Sequence, residues 1–370
     1  MADMLDYLKW RGEILFSQLP LNSVDALIFS TLAYVKYDGI VPEEVCRWIT
    51  LEDAARNVLD LPDLDKRIRV KRDIELLEAV LEAPRFHRIG LSFYQNVLIP
   101  EEETQFSAVT FFLEDGSAFL AFRGTDYSLT GWKEDFNMSF QESVPAQRLA
   151  VKYLQDFCEV SSMPLRLGGH SKGGNLAVYA AAKCDTAIQE RIIEVYNEDG
   201  PGFMSHLIDS VGYQNVMPKI RTYIPQSSVV GMLLEHEEPY IVIKSKQIGV
   251  LQHDPYSWEV MGKDFIYVEE VSEESKFLDK TIKAWMMQLS AEERNKLVDT
   301  VFELLATGDA ETTKEMIRPR NLVAYVKTLK NDDELRRFLA GELTKLIRTA
   351  RKQNQVEKQN LIEKQEDELL

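Results

Sequence analysis

Cysteine and histidine are scarce in this chain, with 3 and 5 among 370 residues. Cys46, Cys158 and Cys184 are scattered without C-x-x-C spacing, so neither a disulfide framework nor a zinc site is expected, and all three read as buried thiols. Positive charge is also short: 43 Lys and Arg against 60 Asp and Glu leave a net −17. That balance argues against nucleic acid or an anionic membrane as the main partner, while leaving room for a local basic patch. No apolar run reaches the roughly 18 residues that a spanning helix needs. Residues 1–6 lack a basic stretch leading into an apolar one, so the protein is expected to be cytoplasmic, without a transmembrane segment. There is no internal repeat, and no glycine pattern fits a phosphate-cradling loop or a dinucleotide fingerprint, so no cofactor and no metal are expected.

What the chain does have is Leu165-Arg166-Leu167-Gly168-Gly169-His170-Ser171-Lys172-Gly173-Gly174, a short apolar strand running through G-x-S-x-G into a helix-forming segment. Such a turn presents a serine hydroxyl at a strand end, and Gly169 and Gly173 let strand and helix approach closely. The helix start also points free N–H groups at any negative charge forming on a substrate carbonyl. Upstream, Leu149, Tyr153, Leu154 and Phe157 recur at helical spacing, and downstream Ala177, Ala180 and Ala181 keep the next helix slim. The order helix, strand, turn, helix is that of a parallel αβα layer, with Ser171 as the candidate nucleophile. The bland alternative is a glycine-rich turn that only closes a strand-helix junction.

A second segment, Ala121-Phe122-Arg123-Gly124-Thr125-Asp126, ends an apolar alternation and is followed by Trp132-Lys133-Glu134-Asp135. With the G-H-S-x-G-G run, this resembles the class-three lipases, in which F-R-G-[ST] supplies one oxyanion donor, a W-x-x-D helix follows, and the serine turn supplies the other donor. Carried over by position, the resemblance places the backbone N–H groups of Thr125 and Lys172 around the oxyanion, with Gly124 removing a side chain beside it. Adding Asn197-Glu198-Asp199-Gly200-Pro201-Gly202-Phe203 and Gln252-His253-Asp254-Pro255-Tyr256-Ser257-Trp258, the chain looks still more like a bacterial family of α/β-hydrolase-like proteins of unknown function related to those lipases. The likeness runs over about residues 20–268 and implies hydrolase chemistry without naming a substrate.

A serine hydroxyl needs a general base, almost always an imidazole held by an acid. His87 precedes the core strands, His170 sits in the serine turn facing away from Ser171, and His206 falls on a helix after the Gly202 turn. His253 fits best, because Tyr240-Ile241-Val242-Ile243 and Ile248-Gly249-Val250-Leu251 read as late strands and His253 begins the loop after them. His236 is the alternative. For the acid, alignment on Arg221-Thr222 puts Ser227 where class-three lipases carry aspartate. Asp199, ending the apolar strand 192–196 before Pro201 and Gly202, is the replacement, weighed evenly against an Asx-turn role; Glu198 and Asp254 are lesser candidates. Lys172 replaces the apolar residue usual beside the nucleophile. Its ammonium is expected to reach solvent, with Asp126, Asp135 or an anionic substrate group as the other reading.

Residues 1–271 read as the α/β-hydrolase domain, a mostly parallel sheet flanked by helices. Asn22 can cap a core helix carrying Leu27, Ile28, Thr31 and Leu32, and 43–84 reads as a helical insertion, either a lid or a solvated pair. Residues 89–99, 106–113 and 117–122 read as strands, with an Asp115-Gly116 turn. Residues 272–350 form a helical appendage: Ser290-Ala291-Glu292-Glu293 is a capping box, Leu297, Val301, Leu304 and Leu305 share a face up to Gly308, Pro319 breaks the next helix, and Leu335, Leu339, Leu343 and Ile347 share another face. These faces pack on the body or on each other, or else bind a protein partner. Residues 351–370, rich in Lys, Gln and Glu, read as frayed or disordered. The functional expectation is a serine esterase or lipase-like hydrolase acting on a small-molecule or lipid ester, including thioesters; the rival is an inactive fold kept for binding.

Overall fold

The computed structural model describes residues 2–126, 128–138, 141–307 and 319–367. Eight strands form one sheet in chain order: β1 (Ile49–Thr50), β2 (Gly90–Ile99), β3 (Thr104–Phe112), β4 (Ala118–Phe122), β5 (Leu165–His170), β6 (Ile192–Glu198), β7 (Ile220–Pro225) and β8 (Tyr240–Ile243). β1 through β4 pair antiparallel, and β4 through β8 pair parallel. The β3–β4 reversal is the expected one, with Gly116 at φ +80 and Asp115 Oδ1 accepting from the Ser117 amide at 3.0 Å.

Strands that are parallel and in chain order, joined by right-handed crossovers, send every connecting helix to the same face. The Pro145–Val160, Lys172–Lys183 and Val211–Val216 helices accordingly bury Tyr153, Leu154, Phe157, Leu176, Ala177, Ala180, Tyr213 and Val216 in a single core with Leu120, Phe122, Leu167 and Val195. The opposite face needs another cover, since a parallel sheet is apolar on both sides. Residues 4–87 supply it. The Ser23–Leu32 helix, capped by Asn22, is buried along its whole length, and Leu51, Ala54, Ala55, Val58, Leu76, Leu77 and Val80 join it against Phe111, Phe119 and Ala121. Within 43–84, the Leu51–Leu59 and Arg72–Leu81 helices bury their apolar faces here as part of the third layer of the αβα sandwich, so they are not a solvated pair. The whole is an α/β-hydrolase fold.

That layer is pinned by Arg85 and Asp25, both fully buried and joined at 2.6 and 3.0 Å. Arg85 also donates to the carbonyls of Ile14 and Leu19, and Tyr7 donates to Asp25. Removing one partner of such a pair strands the other charge in the core. Arg85→Met is expected to lower unfolding stability by about 3–5 kcal/mol in urea titration, and a loss under about 1 kcal/mol would contradict this account.

The chain divides into two compact units, one of residues 1–126 and 130–271 and one of 127–129 and 272–370. In the second, helices span Glu273–Met286, Ala291–Ala306, Pro319–Asn331 and Asp333–Asp367. The capping box is present, with Glu293 N donating to Ser290 Oγ at 3.1 Å and Ser290 N to Glu293 Oε2 at 2.8 Å. Gly308 lies outside the described residues. Pro319 is the first described residue of the Pro319–Asn331 helix, and the break expected at it falls against residues outside the described ones. Leu343 and Ile347 are exposed, while Glu342 and Thr349 are the buried positions of the last helix among the described side chains. That helix runs on to Asp367 through the stretch expected to be frayed, whose Lys, Gln, Glu and Arg are good helix formers. Only Cys184 of the three cysteines is buried; Cys46 is exposed in the irregular chain before β1. No helix among the described residues is long and apolar enough to cross a membrane.

Candidate active site

β5 delivers Ser171 at φ +61 and ψ −133, a conformation rare for a residue with a side chain, and the Lys172–Lys183 helix starts at the next residue. The corner is possible because a Cβ on Gly173 would lie 2.1 Å from the Phe122 carbonyl oxygen, so helix and β4 meet through bare backbone; Gly169 in turn sits under Gly173. Ser171 N donates to the Glu198 carbonyl at 2.9 Å, which ties the corner to the end of β6.

Asp199 follows directly. It is fully buried at φ +54, and its Oδ2 lies 2.6 Å from His253 Nδ1. Its other oxygen is filled from the loop after β7: Ser228 Oγ donates at 2.5 Å and Gly231 N at 3.1 Å. A Cβ on Gly231 would stand 2.3 Å from that oxygen, so only glycine brings its amide this close. Asp199 thus lies between a hydroxyl, an amide and an imidazole.

The His253 loop is held by its own sequence. Asp254 caps the short Pro255–Ser257 turn through the Tyr256 amide at 3.2 Å, Ser257 Oγ donates to the Asp254 carbonyl at 2.6 Å, and Trp258 Nε1 donates to the Gln252 carbonyl at 2.9 Å. His170 joins it to the serine corner: its Nε2 lies 2.7 Å from the His253 carbonyl oxygen, and the two rings are 4.6 Å apart. Since that oxygen can only accept, His170 carries its proton on Nε2 and accepts on Nδ1 from the Tyr34 hydroxyl at 3.1 Å. Burial, then the charges of His253 and Arg69, hold His170 well below the usual imidazole range, so it is neutral.

Around the expected oxyanion position, Thr125 Oγ1 donates to Asp135 Oδ2 at 2.5 Å, which orients the strand end, and Lys172 N is the first amide of its helix, where no intrahelical acceptor exists. At Gly124 a Cβ would meet the Tyr34 hydroxyl at 2.1 Å. The Lys172 ammonium does not reach solvent. It is buried, donating to Gln105 O at 2.9 Å, Gln105 Oε1 at 2.6 Å and Glu134 Oε2 at 3.0 Å, with Asp135 at 3.8 Å.

The other candidates lie elsewhere. His236 pairs through Nδ1 with Glu238 at 3.0 Å, and Glu238 also binds Thr222 and Tyr213. Ser227 donates its amide to Gln252 Oε1 at 2.8 Å, and the neighbouring Ser228 reaches Asp199 instead. Asp254 is a turn cap. His87 and His206 contact backbone carbonyls of Leu81 and Glu142. Residues 248–251 are not a strand: Gly249 turns the chain at φ +54 into a 3-10 helix over Gly249–His253.

Glu198 is fully buried under the N-terminal helices, and neither carboxyl oxygen has a hydrogen-bond partner among the described residues. Burial raises its pKa from 4.5 to about 8. The folded state therefore holds a proton that the unfolded state releases above 4.5, and stability falls as pH rises from 4.5 toward 8, by up to about 1.4 kcal/mol per pH unit. Glu198→Gln is expected to flatten that slope in denaturant titrations at pH 5 and 8; an unchanged slope would contradict the assignment.

Tyr34, Arg69, Glu134, Ser228 and Trp258 are brought to this centre without having been singled out. Only Trp258 and Glu134 had a sequence signal, as members of the Q-H-D-P-Y-S-W and W-K-E-D runs. No group of three or more His, Cys, Asp or Glu among the described residues is placed to hold a metal ion.

A family model described as Mbeg1-like matches residues 80–303. No curated protein matches the sequence. Among solved structures, a mutant form of MDLA from Penicillium cyclopium is 14% identical, with a TM-score of 0.36, 66% of this chain covered and 83% of that one. The native Rhizomucor miehei lipase propeptide complex is 15% identical, with a TM-score of 0.33, covering 66% and 81%.

Proposed function

The chain belongs to the Mbeg1-like family, a lipase-related family, and from that premise we propose that it is a serine hydrolase cleaving a carboxylic ester through an acyl-enzyme. Ser171 Oγ attacks the acyl carbonyl while His253 Nε2 takes its proton. Asp199 Oδ2, holding Nδ1–H at 2.6 Å, fixes the tautomer and stabilises the imidazolium. The carbonyl electron pair moves onto oxygen, where the amides of Thr125 and Lys172 and the positive end of the 172–183 helix receive it. Collapse expels the alcohol or thiol, protonated by His253, and water repeats the sequence to release the acid. The observation that carries this reading is the Asp199–His253 bond at the strained Ser171 corner. The rival, an inactive fold kept for binding, leans on Ser227 in place of an acid, and a carboxylate bonded to His253 from β6 supports the enzyme instead.

Acyl transfer through an enzyme ester has a kinetic signature. Stopped-flow mixing with p-nitrophenyl butyrate is expected to release a burst of nitrophenol stoichiometric with enzyme, with a protein mass gain equal to one butyryl group on acid quench. Turnover with no acylated protein at any time would overturn the covalent route.

A further inference from the structure

Two guanidinium groups near this centre have donors without a hydrogen-bond acceptor among the described residues. Arg69, half-buried, lies with its guanidinium carbon 4.3 Å from the centroid of the Tyr34 ring. Among the described residues that guanidinium makes no hydrogen bond and no ion pair, and its Nε is shielded from water. Neighbouring basic groups are paired, Arg72 with Asp3 at 2.9 Å and Arg85 with Asp25 at 2.6 Å. Arg123, at the end of β4 and 2% exposed, leaves Nε and Nη1 unpartnered, with Asp126 no nearer than 3.7 Å from Nη2. The carboxylates whose charge acts on Arg69 are hydrogen-bonded elsewhere: Asp73 accepts from the Arg69 and Val70 amides and the Tyr256 hydroxyl, and Asp254 caps Tyr256.

Tyr34 places both cations. Its hydroxyl lies 3.1 Å from Nδ1 of His170, the residue before Ser171, and touches Gly124, the residue between Arg123 and Thr125. A guanidinium whose Nε donor is shielded from water and left without an acceptor is costly in a chain with a surplus of carboxylates, where a partner is easily found. Its planar fork matches a phosphate or carboxylate. We propose that Arg69, with Arg123 adding charge behind it, binds an anionic group of the ester that Ser171 cleaves, so that the substrate is a phosphate- or carboxylate-bearing acyl ester. This rests on the serine-hydrolase reading.

The test compares kcat/KM on three esters with one acyl chain: a neutral monoacylglycerol, the corresponding lysophosphatidate, and an acyl lactate. Wild type is expected to prefer a charged ester, and Arg69→Gln to lower the charged-to-neutral ratio about tenfold or more, mainly through KM. Arg69→Lys, which keeps the charge but not the fork, is expected to fall between. Whichever charged ester loses more identifies phosphate or carboxylate as the recognised group. An unchanged ratio in both variants, or a wild type that prefers the neutral ester, overturns the inference. Fluorophosphonate labelling of wild type separates the two failures: labelled Ser171 with an unchanged ratio sinks only the anion site, and unlabelled protein sinks the hydrolase reading beneath it.

Discussion

Ser171→Ala is expected to reduce ester turnover by about a million-fold, to the background of the empty site, with the fold intact. Ser171 N is the group that holds the corner, through the Glu198 carbonyl, and alanine keeps it. The φ of +61 strains alanine about as it strains serine, so stability should move little. His253→Ala is expected to cost nearly as much, and the double variant no more than either single one, because nucleophile and base act as one unit. Steady-state rates on p-nitrophenyl butyrate, with unfolding midpoints as a control, read all three. Additive losses would mean that Ser171 and His253 do not share a step.

Asp199→Asn is expected to lower kcat by about ten-thousand-fold while leaving the loop in place. The reason is directional. Oδ1 of Asp199 accepts from Ser228 Oγ and Gly231 N, two donors that fix that position as an acceptor. An asparagine must therefore put its carbonyl there and turn its NH2 toward His253 Nδ1. That ring nitrogen becomes an acceptor, the imidazole proton moves to Nε2, and the nitrogen needed by Ser171 is blocked. Ser228 matters here because it stands beside Ser227, the position where the resemblance to class-three lipases would place an acid. With the carboxylate just after β6, the loop after β7 contributes a hydroxyl that holds it. A variant losing less than about tenfold would show that Asp199 does not set the tautomer.

The serine corner was legible because its demands are local: glycines at 169 and 173 and a strand-to-helix switch are all within ten residues. Elimination among 5 histidines points to His253, although the strand expected before it is a 3-10 helix. Asp199 stood level with a turn aspartate, since nothing nearby in sequence shows that Ser228, Gly231 and His253 converge on it. The burial of the Lys172 ammonium is hidden for the same reason, as its acceptors Gln105 and Glu134 come from other elements. Residues 43–84 showed their helical period, but their role follows from topology: a parallel sheet in chain order sends its crossovers to one face and leaves the other for the N-terminal helices.

The most direct test is covalent. Purified protein treated with a fluorophosphonate and digested for mass spectrometry is expected to carry the adduct on Ser171, at a rate that collapses in His253→Ala and Asp199→Asn. A well-folded wild type that stays unlabelled, or labels as fast without His253, would contradict an activated serine at this site.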